Sequence, residues 1–282
     1  MNILVTGANG QLGTSLKNIS ASVHHTFFFH DTDLDICNYD MIRYFILDKQ
    51  IDVIINCAAY TAVNKAESDI EKATQINHIG TKNLAEIAAS EDCRIIHIST
   101  DYVFDGLSHR PYIETDAVNP LSVYGKTKLA GEEEVIRCDA GMIIRTSWLY
   151  SEYSNNFLHT IYRLSTEKDE LRVVFDQIGT PTYAGDVAKA ILQIISQDSK
   201  LATAIYHYSN EGVASWYDFA WEIVLLSGRR CKIIPIESKD YPLPAPRPLY
   251  SVLNKRKIKN NFHIDIPYWK ESLSKCILNI KK

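Results

Sequence analysis

Short apolar runs alternate with amphipathic stretches through the first half of this 282-residue chain, and that rhythm excludes most folds. The runs are MNILVTG at the start, Phe27 to His30, DVIINCAA from Asp52, RIIHIST from Arg94 and GMIIRTSW from Gly141. Their length and β-branched content read as strands, whereas residues 71–90 set Ala73, Ile76, Leu84, Ile87 and Ala88 near a 3.6-residue period. Strands joined through such crossover helices make βαβ units, so the expectation is an α/β fold with a doubly wound parallel sheet covered on both faces.

Beyond Trp148 the alternation loosens. NNFLHTIYRL and GDVAKAILQII read as helices, LRVVFDQ and AIYHYSN as strands. Ser215 with Asp218 forms a capping-box pattern at the start of WYDFAWEIVLL, and Gly228 is its stop signal. Prolines at 242, 244, 246 and 248 forbid a helix or central strand there and predict an extended loop. No flexible linker separates the halves, so the second should pack directly on the sheet, with a ligand cleft between them.

Composition narrows the function classes. At 46% hydrophobic and 23% charged, the chain has no room for long disorder. A formal charge of -4 supplies no basic field for nucleic acid or anionic lipid, so an anionic ligand must be held by a local site. The six cysteines never fall at C-x-x-C spacing and read as buried small hydrophobes, and the adjacent His24 and His25, read as facing opposite sides of a strand, lack ligand spacing; no metal site is expected. The cluster Lys255, Arg256, Lys257 and Lys259 reads as a solvated helix face. With no charged leader before the first strand and no membrane-length apolar run, the reducing cytoplasm is the expected setting.

Between the first strand and its helix lies Gly7-Ala8-Asn9-Gly10-Gln11-Leu12-Gly13. Glycines 7, 10 and 13 allow a tight turn, close approach of backbone amides to a pyrophosphate and close helix-to-strand packing, with the helix N-terminus favouring negative charge. After the second strand, Asp31, Asp33 and Asp35 fall about 20 residues past that turn, where an adenosine ribose would lie. Asp31 could accept a ribose hydroxyl, and no Arg or Lys occurs between Lys17 and Arg43, which weighs towards NADH over NADPH. Asp33 and Asp35 could equally cap the following turn.

Tyr124 and Lys128, four residues apart on a predicted helix, project from one face. Carbonyl reduction creates an alkoxide that needs a proton; a lysine ammonium beside a tyrosine would stabilise the tyrosinate and lower the phenol pKa. Its other donors could hold nicotinamide ribose hydroxyls. Ser99-Thr100-Asp101 follows RIIHI at a strand's carboxyl end, and Thr100 could donate to the same carbonyl oxygen.

In their order, GANGQLG, NCAAYTAVNKAE, STDYVFDG, YGKTKLAGE, RTSWLY, NNF, DQIGTPT, SWYDFA and PAPRPLYS closely resemble the dTDP-4-dehydrorhamnose reductase family of extended short-chain dehydrogenases, nearly end to end. That resemblance implies a Rossmann-type sheet with a smaller C-terminal α/β substrate-binding domain. Residues 1–148 would be the dinucleotide domain, with a strand and helix around 183–210 returning to it, and 149–182 with 211–282 the substrate domain. It also implies NAD(P)H-dependent reduction of the C4 carbonyl of dTDP-4-dehydro-β-L-rhamnose to dTDP-L-rhamnose, for surface polysaccharide synthesis. Tyr124 and Lys128 carry over as catalytic pair. Gly10, Gln11 and Leu12 would contact the pyrophosphate region, Asp35 and Ile36 the adenine side, and Ala59, Tyr60 and Thr61 the middle of the dinucleotide. Thr100 and Asp101 would touch the sugar nucleotide, Trp148 would pack on it, and Arg247 would help bind its diphosphate. His30-Asp31 departs from the acidic-then-basic pair common in the family, so the cofactor preference stays open.

Three alternatives share the resemblance. A dehydratase resembles Thr-Asp-Glu after the fourth strand, and here Tyr102 replaces that Glu. A related 4-epimerase would show no net cofactor oxidation. A non-catalytic regulatory subunit, similar to that of methionine adenosyltransferase, would bind a partner enzyme and oxidise neither NADH nor NADPH. The oligomeric state is not legible; a homodimer is the assembly entertained.

Overall fold

The computed structural model describes residues 1–197 and 201–280. Of the ranges read above, 183–210 and 211–282 therefore include a few positions outside the described residues. Five strands occupy the predicted runs: β1 (Asn2–Thr6), β2 (Thr26–Phe29), β3 (Val53–Asn56), β4 (Arg94–Thr100) and β5 (Gly141–Thr146). The strand β6 (Glu170–Val174) lies elsewhere, and β7 (Ala204–His207) returns to pair with β5. The sheet runs β7-β5-β4-β3-β1-β2, parallel throughout. Its order reverses at β1, which pairs β2 on one side and β3 on the other, and in such sheets ligands bind at the carboxyl ends beside that reversal.

Period-two alternation decides which face each residue serves. Ile3, Val5 and Ile55 join one apolar cluster with helices α1 (Gln11–Ile19) and α6 (Ala184–Gln197), while Leu4 and Ile54 join another with α2 (Tyr39–Lys49) and α3 (Thr81–Ser90). Both faces are thus covered, which is why the strands read as continuous apolar runs. The second of these helical crossovers is longer than its label. Residues 70–90 are helical throughout, with a π turn at Gln75–Gly80 between Ile70–Thr74 and α3.

A third cluster gathers Tyr150, Leu158, Leu171, Phe219, Ile223, Trp269 and Leu273. It sits among α5 (Phe157–Glu167), α7 (Trp216–Ser227), α8 (Trp269–Ile280) and the parallel pair of β6 with β8 (Lys232–Ile236). The Ser215–Asp218 capping box opens α7, and Gly228, at φ +71°, ends it. Residues 242–249 form neither helix nor strand, as their prolines require. No described helix is long and apolar enough to cross a membrane.

Two expectations are corrected. His24 and His25 lie just before β2 and not within a strand. The cluster at 255–259 is not a free solvated face: Lys255 is buried and pairs with Glu211 at 3.3 Å, Lys259 meets the same carboxylate at 2.8 Å, and Lys257 donates to the Ile205 carbonyl. Charge patterning alone could not show this, because Glu211 is remote in sequence.

Candidate active site

A cavity of about 710 Å³ opens at the carboxyl ends of β1, β3 and β4. Gly7, Gly10, Gln11, Leu12 and Gly13 line one wall. Gly7 holds φ +65°, and a Cβ there would stand 2.6 Å from the Ala58 backbone nitrogen, so the turn admits no side chain. The N-cap of α1, Gly10, offers no side-chain cap, which leaves first-turn N–H groups free to face an anion. Gln11 bridges to the far side, accepting hydrogens from Ser151 (3.0 Å) and Asn156 (2.9 Å). A Gly7→Ala variant should lose both stability, by about 1–2 kcal/mol of backbone strain plus the clash, and dinucleotide affinity. Thermal melts and a fluorescence titration would check this; unchanged affinity would remove the turn from the binding surface.

Asp31, Asp35 and Ile36 line the next stretch. The Asp31 carboxylate accepts the Asn9 N–H at 3.2 Å, which ties it to the glycine turn. Asp33 accepts the Asp31 N–H at 2.7 Å and meets His30 at 2.6 Å, and Asp35 accepts the Cys37 N–H at 2.9 Å, so both brace the turn. Ala59 and Thr61 are in the lining; the Tyr60 side chain is not. Its ring packs with Ala66 and Ala73, and its hydroxyl donates to Asp69 at 3.0 Å. What holds this wall is Asn77, in the π turn, whose carbonyl accepts the Tyr60 N–H (2.8 Å) while its amide donates to the Tyr60 carbonyl (3.2 Å).

The opposite wall comes from β4 and α4 (Val123–Arg137). Ser122 caps α4, accepting the Gly125 N–H at 3.1 Å, and Glu67 accepts the Val123 N–H at 2.9 Å. Thr100, Asp101, Tyr124 and Lys128 all line the cavity. Burial raises the Asp101 carboxyl to about 6, and one of its oxygens has no partner. The Tyr102 ring meets Tyr124 edge-on at 5.6 Å, and burial pushes its phenol up to about 12.

The Tyr124 phenol is shifted up, opposite to the expected direction, and the cause is burial. Burial holds the Tyr124 phenol far above its ordinary range, opposed by a hydrogen bond with Thr100, and burial brings Lys128 down to about 8. The Lys128 amine turns to β4, donating to the Ile98 carbonyl at 2.6 Å with His97 Nε2 at 3.2 Å. Desolvation is the largest influence on each group.

Trp148 also lines the cavity, at φ +47°, stacked face to face on Trp216 with ring centroids 3.6 Å apart. Gly179 makes room for the indole, since a Cβ there would lie 2.6 Å from the Trp148 ring. Arg247 completes the lining, with a buried Nε that has no hydrogen-bond partner among the described residues. Local sequence gives no sign of the places taken here by His97, Asn77 and Trp216. Each looked like an ordinary strand or helix residue, and only its packing partner gives it a place in the site.

The donor set fits a dinucleotide: a side-chain-free cradle at Gly7, an uncapped helix N-terminus, and a Tyr and Lys on one helix face at the strand ends. Comparisons with known proteins agree. A family model described as RmlD substrate binding domain matches residues 1–282. A dTDP-4-dehydrorhamnose reductase of Aggregatibacter actinomycetemcomitans is 40% identical over 96% of each chain. The crystal structure of a dTDP-4-dehydrorhamnose reductase from Clostridium acetobutylicum superposes with a TM-score of 0.95, at 43% identity over 100% of both chains. That of a Bacillus anthracis dTDP-4-dehydrorhamnose reductase, in complex with NADP, gives 0.93 at 35% identity over 99% of each.

Proposed function

Because the chain belongs to the dTDP-4-dehydrorhamnose reductase family, we propose that it reduces the C4 carbonyl of dTDP-4-dehydro-β-L-rhamnose to dTDP-L-rhamnose. The observation that carries this reading is the convergence of Thr100, Tyr124 and Lys128 on the cavity that the glycine turn also lines. A nicotinamide dinucleotide supplies the hydride. The chain does the rest. Tyr124 gives the proton that turns the developing C4 alkoxide into a hydroxyl, and Thr100 donates to that oxygen as its charge appears. Lys128, one turn along the same helix, steadies the tyrosinate left behind and offers donors to ribose hydroxyls. Asp101 and Trp148 contact the sugar nucleotide, and the unpartnered Arg247 Nε suits an anionic diphosphate. The unit built from 149–182 and 211–282 is the substrate-binding part. We take the protein to be cytoplasmic, in keeping with six free thiols, and a homodimer as its assembly.

The test supplies the 4-keto-6-deoxy nucleotide sugar, with and without a 3,5-epimerase, follows NADH and NADPH oxidation, and identifies the product by NMR. Interconversion of sugars without net cofactor oxidation would indicate an epimerase. No oxidation of either cofactor, with stable binding to a partner enzyme, would indicate a regulatory subunit.

NADH is the expected better cofactor, because the Asp31 carboxylate stands in the lining and would repel a 2'-phosphate. The NADP complex of the Bacillus anthracis relative makes this the sharpest difference to measure. Asp31→Ala should raise the NADPH-to-NADH ratio of kcat/KM on the order of tenfold, the effect of about 1.4 kcal/mol. A ratio that does not move would show that Asp31 does not read the ribose.

A further inference from the structure

Beneath Lys128 lies a buried chain of polar side chains whose hydrogens can be assigned from the backbone upward. Asn56, at the end of β3, accepts the Ala58 N–H on Oδ1 at 3.2 Å. A backbone N–H has only one role, so the carbonyl oxygen of Asn56 must face Ala58; the Thr6 hydroxyl, 2.8 Å from the same oxygen, completes the bond. The Asn56 Nδ2 then faces His97 Nδ1 at 3.1 Å, as a donor. The His97 Nδ1 must therefore be bare. His97 is fully buried, and burial with the nearby lysine drives its pKa well down, so it carries a single hydrogen, on Nε2. That hydrogen points at Lys128 Nζ, 3.2 Å away.

Only an uncharged amine has a lone pair to accept it. An ammonium would oppose hydrogen to hydrogen unless His97 moved its proton to Nδ1, which would set that hydrogen against the Asn56 amide. The Ile98 carbonyl accepts a lysine hydrogen in either state and does not discriminate. Accepting that Lys128 partners Tyr124 as above, we propose that Asn56 and His97 form a positioning pair that disfavours the charged form of Lys128, so that this lysine and not the Tyr124 phenol sets the alkaline limit of the reaction.

The other groups facing Lys128 are few. Glu132 lies one turn beyond it and Tyr124 one turn before it on α4, and Cys57 approaches from the end of β3. Glu132 favours the ammonium, but Arg145 of β5 binds both its oxygens. From the helix at 70–90, His78 meets Glu134, on a different face of α4. Burial remains the largest influence on Lys128 and brings it down to about 8, well below an ordinary lysine. Turnover should accordingly fall as pH rises through that region, since the tyrosinate then loses its cationic neighbour.

Two measurements decide the matter. In the intact enzyme labelled with 15N-histidine, the alkaline form should show the hydrogen of His97 on Nε2 and a bare Nδ1; a hydrogen on Nδ1 throughout the titration would overturn the proposal. This readout needs no turnover, so it stands even if the proposed reaction fails. In His97→Gln, an amide oxygen can accept a hydrogen from the charged lysine, and the alkaline limb of kcat should move up by about one pH unit, a tenfold gain at the high end, with dinucleotide affinity retained. A loss that is uniform across pH, without movement of the limb, would mean a merely structural histidine and would overturn the pair.

Discussion

Tyr124→Phe is expected to lower turnover by about 10²- to 10⁴-fold while leaving dinucleotide affinity within about twofold. The phenol joins a transferable proton to a hydrogen bond with Thr100, on the helix that also carries Lys128 into the cavity. Its half-buried ring packs edge-on against Tyr102, and phenylalanine preserves that contact, so the loss should fall on chemistry and not on folding. Cofactor oxidation gives kcat, and fluorescence titration gives the affinity. Turnover near that of the parent would remove Tyr124 as the acid.

Glu132→Ala should cost about 3–5 kcal/mol of stability, because it strands a buried guanidinium. The Glu132 and Arg145 side chains are 1% and 3% exposed and meet at 2.6 Å, with Arg145 Nε bound to both carboxylate oxygens. Arg145 also lies over the Phe104 ring, 5.2 Å from its centroid, and one of its terminal nitrogens already lacks a partner. The carboxylate is therefore the chief compensation for that charge, and removing it leaves the charge in a dry interior. Urea midpoints would measure the loss. The paired replacement Glu132→Leu with Arg145→Met should recover most of it, since an apolar pair carries no desolvation penalty. A small loss in the single variant would show that water reaches Arg145.

The legible and the illegible parts of this site differ in range. The Ser215–Asp218 capping box, the Gly7 turn and the shared face of Tyr124 and Lys128 are contacts within a few residues, and local spacing specifies them. Even there, sharing a face did not give the sign of the electrostatics. A lysine on the same helix face predicts a lowered Tyr124 phenol, whereas burial holds it up and the amine turns to His97 and Ile98. In RIIHIST, His97 is simply the polar position of a strand, and nothing local shows that Lys128 lies above it. The Lys255–Glu211 pair is illegible for the same reason, its partners being far apart along the chain.

By itself the sequence determined the parallel α/β architecture, the glycine turn and the helix that carries Tyr124 and Lys128. Those follow from periodicity and from the narrow set of side chains that a tight turn accepts. Only the tertiary structure decided which buried groups face one another: His97 under Lys128, Trp216 on Trp148, Glu132 on Arg145, and Tyr60 turned away from the cavity. Desolvation is a property of the assembled interior and not of any segment, so protonation states and ring stacking are settled only when the sheet and its covering helices close.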